Sequence, residues 1–427
     1  MMKTIDEIVH LVQNRQFSKV RSACVEMLHK DRLNAQAWSF LGQAMVGLGN
    51  GKMAKLCFDR AWLFDPFATW VERAISDANS AGVGLGDKQV LKLLQVPKVK
   101  VAATVLTKNN ERTIPACIEA LQSSVDEIVV VDTGSTDSTV DLVKAYDVRL
   151  VQFEWSHDFS EARNFATSLA DADWVIAIDS DEFLVNEDVD SIRTIAGLYD
   201  DKNCVVSLIQ MNRTANGIEH FATSRMFKKS TGVKWENAIH EEPVPPKGAL
   251  SSFMHRTLRI RVFHDGYNPQ VVDLSEKADR NIGILKYAIE KEPSKPGNYY
   301  YLARELCVKS MFDEALSSAE KAKELSVGIV GYPLRPQIYL LLRDIYVNLQ
   351  EQELVERTLR ELTIELPDHP DGWFWLGVHL GENSKTDEAI ELLKVAKQRA
   401  LVYRGPSNFD STIATWKADA AIQQFRK

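Results

Sequence analysis

Apolar positions along this chain follow two rhythms. Toward both ends they recur every three or four residues, the spacing of one helix face, whereas the middle holds short β-branched runs that are apolar throughout. In that middle, VKVAATVL (99–106) reads as a buried strand, RTIPACIEALQSS (112–124) as a helix, DEIVVVDTGS (126–135) as a second strand and STVDLVKAY (138–146) as a second helix. VRLVQFEW (148–155), SEARNFATSLA (160–170) and DWVIAIDSDEFL (173–184) continue as strand, helix and strand, and LRIRVFH (258–264) reads as one more strand. Doubly buried strands that alternate with helices build a parallel sheet, and ligands of such sheets gather at the carboxyl ends of the strands.

At the N-terminal end Trp38, Leu41, Gly42, Ala54, Phe58, Ala61 and Pro66 fall at the spacings of a tetratricopeptide repeat. Residues 3–30 supply one more helical pair, weakly patterned. The same template returns three times after residue 295: at Tyr299, Leu302, Ala303, Ala315, Ala319 and Ala322; at Tyr339, Leu342, Tyr346, Leu359, Leu362 and Pro367; and at Trp373, Leu376, Gly377, Ala389, Leu393 and Ala396. The organisation expected is a helical repeat over 1–79, a Gly-rich linker at 80–97 (it contains SAGVGLGDKQ), an α/β domain over 98–270 and helical repeats over 271–427. Trp62 and Phe67, read as exposed, suggest an end better covered by another subunit, hence a homodimer through the helical repeats.

Composition adjusts this picture little. A chain of 427 residues, 45% apolar and 26% charged, is an ordinary multidomain globular protein. A net charge of −8 argues against nucleic-acid binding through phosphate contacts. Five cysteines without C-x-x-C spacing suit neither a disulfide framework nor a thiolate zinc site and point to free thiols in a reducing cytosol. No apolar run is long enough to cross a bilayer, so a cytoplasmic location with no membrane span is expected.

The candidate chemistry sits at the strand ends. Thr107, Asn109, Asn110 and Glu111 follow the first strand, Asp132 to Asp137 the second, and Asp179, Asp181 and Glu182 the strand that begins at Trp174. The loop DTGSTDST lacks a P-loop lysine and is rich in side-chain acceptors, so it suits a ribose or base better than a triphosphate; a plain Asx or Ser turn is the alternative. Asp179 and Asp181 lie on one side of an extended strand end, where both reach a single hard cation such as Mg²⁺ or Mn²⁺ that would clamp a diphosphate.

The segments VLTKNNERTI, EIVVVDTGSTDST, SEARNFA, ADWVIAIDSDEF, NAIHEEP and VFHDGY, in that order, resemble family 2 glycosyltransferases of GT-A fold over most of 98–270. The resemblance implies a Rossmann-like α/β catalytic domain flanked by all-α repeats, a UDP-sugar donor and a divalent metal. It places Thr107 and Asp132 at the uridine, Asn109 and Glu111 in the nucleotide-sugar site, Arg163 at the nucleotide or its phosphates, and Asp181 on the metal with help from Asp179. His264, closing LRIRVFH, would be the third protein ligand, with a satisfied surface histidine as the bland reading. An inverting transferase needs a base opposite the leaving UDP. The family's HE pair selects Glu241, with His240 shaping the site and Glu242 as competitor; a solvated acidic turn is the alternative. In the first loop Asn110 stands where relatives carry an acid, and Glu111 is the residue to cover that role.

FEWSHDFSEARN, IHEEP and FHDGYNP, with the helical repeats, are most similar to bacterial enzymes that glycosylate peptides, including S-glycosyltransferases of glycopeptide bacteriocins. A peptide or protein acceptor, through Cys or Ser/Thr, is therefore expected. Transfer to a surface polysaccharide or lipid-linked sugar is the second reading, and a repeat scaffold with an inactive transferase domain the third.

Overall fold

The computed structural model describes residues 4–214, 217–265 and 274–426. The chain divides into two compact units, Met1–Val272 and Asp273–Lys427. The first opens with helices α1 (Ile5–Gln13), α2 (Phe17–Lys30), α3 (Ala35–Gly47), α4 (Gly51–Phe64), α5 (Val71–Ser80) and α6 (Lys88–Leu94). Asn34 and Asn50 cap α3 and α4 by accepting from the N–H groups of Ala37 and Met53. Trp38 and Leu41 of α3 and Phe58 and Ala61 of α4 are buried. A Cβ on Gly42 would stand 2.4 Å from the Phe58 ring, so this close crossing requires glycine.

Residues 80–97, expected as a linker, contain α6. Val90 and Leu93 are buried in the same core as the repeat, and Asp87 both caps α6 and receives Arg21 Nε and Nη2 at 2.6 and 2.8 Å. The glycine-rich part supplies turns, with Gly82 and Gly84 at φ +78 and +65.

The strands are β1 (Val101–Thr107), β2 (Glu127–Asp132), β3 (Arg149–Gln152), β4 (Trp174–Asp179), β5 (Glu182–Leu184), β6 (Cys204–Thr214), β7 (Gly217–Lys228), β8 (Lys234–Glu236), β9 (Glu242–Val244) and β10 (Met254–His264). Eight of them form one sheet in the order β3-β2-β1-β4-β7-β6-β10-β5, and β8 and β9 form a ribbon. The half from β3 to β4 is parallel, and β7 joins β4 antiparallel. Helices α7 (Ile114–Leu121), α8 (Thr139–Val143), α9 (Phe159–Leu169) and α10 (Ser191–Tyr199) cover the faces. Alternation within β1 divides the core: Val101, Ala103 and Val105 join Ile114 of α7 and Ile192 of α10, while Ala102 and Leu106 join Ala162 and Ala166 of α9.

Trp62 does not end in solvent as its sequence position suggested. The guanidinium groups of Arg259 and Arg261 on β10 lie 4.2 and 4.7 Å from its ring centroid, and both arginines pair with the buried Asp188. Desolvated cation–π contacts of this kind, added to lost packing, make Trp62→Ala expected to cost about 2–3 kcal/mol in denaturant unfolding. A loss below about 0.5 kcal/mol would mean that the repeat and the sheet are not coupled here. Phe67, 58% exposed, does remain open.

The second unit contains α11 (Leu274–Lys291), α12 (Pro296–Val308), α13 (Phe312–Leu325), α14 (Arg335–Asn348), α15 (Gln352–Glu365), α16 (Pro370–Glu382), α17 (Thr386–Val402) and α18 (Ala418–Phe425). The pairs α12/α13, α14/α15 and α16/α17 are the three repeats read in the sequence. Ala315, Ala319, Leu359, Leu362, Ala389 and Leu393 are buried in their second helices. A Cβ on Gly377 would meet Leu393 at 2.9 Å. No helix among the described residues is long and apolar enough to cross a membrane.

Candidate functional site

The parallel register sets the site. Thr107 lies beside Asp132 and Leu106 beside Asp179, so the carboxyl ends of β2, β1 and β4 form one edge. Two loops leave it and are laced together. Asn109 N–H donates to Ser135 Oγ at 2.9 Å and Asn109 Oδ1 accepts from Thr136 N–H at 2.8 Å. Glu111 N–H donates to Asp137 at 3.2 Å and Glu111 Oε2 accepts from Ser138 N–H at 3.0 Å. Asn110, standing where an acid was looked for, donates its N–H to Thr139 Oγ1 at 2.8 Å. Asn109 and Glu111 thus spend these groups on loop shape. Asp132 does likewise: it is 0% exposed and accepts from the N–H groups of Gly134 and Ser135 at 3.1–3.2 Å, the Asx turn weighed above. Thr107 Oγ1, buried beside it, has no hydrogen-bond partner among the described residues, an orphan that a ligand group could satisfy.

At the other side of the edge stands a charged network. Arg163, on α9, is 3% exposed; its Nη2 donates to Asp179 Oδ1 and its Nε to Glu241 Oε1, both at 2.6 Å. Its guanidinium lies 5.0 Å from the Trp235 ring centroid. Arg225, on β7, donates to both Asp179 oxygens at 3.2 and 2.8 Å. Against the upward push of burial, Arg225 and Arg163 hold the Asp179 carboxyl well below the usual carboxylate range. Glu182, fully buried, accepts from Asp179 N–H at 2.8 Å and Gln210 Nε2 at 2.7 Å; burial and the Asp179 charge push its pKa up. Both oxygens of Asp179 are thus spent on anchoring two arginines rather than on sharing a cation with Asp181.

Asp181 and His264 are the pair that remains for a metal. His264 Nε2 is 3.4 Å from Asp181 Oδ2, and its Nδ1 is 2.8 Å from Asn212 Oδ1, so Nδ1 donates to Asn212, and with a cation bound Nε2 would present its lone pair to it. Pairing of β10 with β5 sets His264 opposite Glu182, and Asp265 N–H donates to the Asp181 carbonyl at 3.1 Å. Neighbouring ligands of an octahedral cation sit about 3 Å apart, so these two atoms fit one Mg²⁺ or Mn²⁺. Among the described residues no three His, Cys, Asp or Glu side chains group to hold a metal. Further donors would have to be substrate oxygens and water, as is usual for a cation on a diphosphate.

The HE pair lies in the turn between β8 and β9, where Asn237 and His240 take φ +77 and +53. Asn164, next to Arg163, fixes this ribbon: its side-chain amide exchanges hydrogen bonds with the Trp235 main chain at 2.8 and 3.0 Å. Glu241 is thereby turned inward onto Arg163, with its side chain 12% exposed. His240 is exposed, and Glu242 is exposed opposite Glu236 in the ribbon. Of the VFHDGY motif, Val262 to Asp265 belong to this site; Gly266 and Tyr267, with Asn268 and Pro269 beyond, lie outside the described residues. Arg225, Asn164 and Asn212 were not singled out in the sequence. Asn164 is adjacent to Arg163 in the SEARNFA run, whereas nothing along β6 or β7 distinguishes Asn212 or Arg225 before pairing brings them to Asp179 and His264.

The pattern of Glycosyl transferase family 2 matches residues 103–245. The SPbeta prophage-derived glycosyltransferase SunS of Bacillus subtilis (strain 168) is 30% identical over 226 residues, covering 52% of this chain and 53% of that protein. The chain thus spans about half the length of that relative. An uncharacterized glycosyltransferase of Rickettsia bellii (strain RML369-C) is 33% identical over 210 residues, covering 47% of this chain and 70% of that protein. A structure of S. aureus TarS 1-349 in complex with UDP is 16% identical with a TM-score of 0.33, over 58% of this chain and 88% of that one; at that distance it says nothing of the site.

Proposed function

The chain belongs to glycosyltransferase family 2, and from that premise we propose that it moves a sugar, with inversion, from a UDP-sugar to a cysteine, serine or threonine side chain of a peptide or protein. The observation that carries this reading is the single edge at which Thr107, the laced loops, Asp181 with His264, and Glu241 held by Arg163 meet. The peptide acceptor rests on the resemblance of residues 153–164 and 239–243 to peptide-modifying enzymes.

In this mechanism Thr107 and the floor shaped by Asp132, Asn109 and Glu111 seat the uridine ribose and base. Asp181 and His264 would hold Mg²⁺ or Mn²⁺, which supplies neutralisation of the charge that grows on the leaving diphosphate. Glu241 takes the proton of the incoming thiol or hydroxyl as the bond from sulfur or oxygen to the anomeric carbon forms on the face opposite the breaking bond to phosphate. Arg163 fixes Glu241 Oε1, so the carboxylate is oriented before the acceptor arrives. His240 lies beside it at the acceptor side and Glu242 is the competing base.

The test is release of UDP by the purified full chain from a panel of UDP-sugars, with Mn²⁺, with Mg²⁺ and with a chelator, in the presence of Cys- and Ser-containing peptides. Metal-dependent release with a peptide mass gain equal to one sugar is expected. No release from any donor, with no UDP binding, would overturn the reading.

A further inference from the structure

Asp265, the residue after His264, is held from two sides. Its N–H donates to the Asp181 carbonyl at 3.1 Å, and its carboxylate meets Arg112 Nη1 at 2.6 Å. Arg112 follows Glu111 in the first of the laced loops and stands just before α7. The ion pair therefore ties the loop after β1 to the end of β10. In the sheet, three strands stand between those two: β4, β7 and β6. Twist accumulates from strand to strand, so the hydrogen-bond ladder is an indirect gauge of the distance from the β1 loop to His264. The ion pair is a direct one.

Stability does not account for the pair. The two side chains are 53% and 28% exposed, and ion pairs so open to water add little to folding. What the tie joins is more informative. On one side are Thr107 and the laced loops, the seat given above to the uridine; on the other are Asp181 and His264, the side chains given to the cation. The stretch from ribose to diphosphate in UDP has a limited reach. The separation of the two half-sites therefore decides whether one molecule can satisfy both at once.

We propose that Arg112 and Asp265 are a positioning pair for the transfer reaction, an inference that rests on the UDP and metal reading of the site. Neither side chain touches the donor. Together they hold His264 and Asp181 at the distance from the nucleoside loop that a cation-bound diphosphate requires. Arg112 acts through the Asp265 carboxylate, and Asp265 passes the constraint on through its own main chain, which joins His264 and holds the Asp181 carbonyl.

The test measures Mn²⁺ binding with UDP present, and UDP binding in EDTA, on the full chain as wild type, Arg112→Ala, Asp265→Ala and the double variant. Each single variant is expected to weaken Mn²⁺ binding about tenfold, the low end for partners that orient metal ligands. The double variant should bind no more weakly than the singles, because each removes the same interaction. UDP affinity in EDTA should stay within about twofold of wild type, and the melting temperature within about 1 °C. Losses that multiply in the double variant, or a single variant that binds Mn²⁺ as wild type does, would overturn the pair. So would a parallel fall of UDP affinity in EDTA, which would make these residues donor contacts or supports of the loop. Each of those failures leaves the metal reading standing. A wild-type chain that binds no Mn²⁺ with UDP present would overturn that reading, and the pair with it.

Discussion

Asp181→Ala is expected to lower kcat/KM for sugar transfer about a thousandfold, some 4 kcal/mol of transition-state stabilisation. The melting temperature should move by no more than about 2 °C. The two halves of this expectation have separate causes. Asp181 is a partly exposed acid, 27% by side chain, whose side-chain partner is His264, so its removal opens no core cavity. Its carbonyl, which holds Asp265 N–H, survives the substitution. Removing the carboxylate deletes one of the two side chains proposed, among the described residues, to hold the cation, and His264→Ala should act in the same direction. Asp179→Ala should behave differently: it removes the carboxylate shared by the buried Arg163 and Arg225, leaving Arg163 with Glu241 alone, and so should unfold the protein more readily as well as inactivate it. If Asp181→Ala keeps kcat/KM within about threefold, the metal does not sit here.

Glu241→Gln is expected to lower kcat by about a hundredfold to ten-thousandfold, the span of general-base contributions, with donor binding unchanged. Glutamine keeps a carbonyl oxygen for Arg163 Nε, so the guanidinium retains both contacts and the β8–β9 turn keeps its place. What is lost is the capacity to take a proton. Glu242→Gln, on an exposed ribbon position opposite Glu236, should change kcat by less than about threefold. The reverse pattern would transfer the role to Glu242. Arg163→Ala should do more than either, because it leaves Asp179 and Glu241 without their common partner; loss of such a buried pair costs about 3–5 kcal/mol.

Much of the parallel half was legible because its strands are buried on both faces and so read as continuous apolar runs ending in polar residues: Val101–Thr107, Glu127–Asp132 and Trp174–Asp179. The repeats were legible because helix crossings need small residues at fixed places, as Gly42 and Gly377 show. Local sequence could not reveal what long-range pairing decides. Asn212 and Arg225 sit on β6 and β7, and only the register brings them to His264 and Asp179. Trp62 looked like an open end because its cover, Arg259 and Arg261, comes from nearly two hundred residues on. The glycines of 80–97 drew attention from KQVLKLL, a short helix whose burial depends on α2 and α4.

The most direct test of the account is a Mn²⁺ electron paramagnetic resonance titration with UDP present, on the wild-type chain and on Asp181→Ala and His264→Ala. The account predicts one Mn²⁺ bound per chain only when UDP is present, with affinity at least about tenfold weaker in either variant. Equal Mn²⁺ and UDP affinity in all three proteins would contradict it.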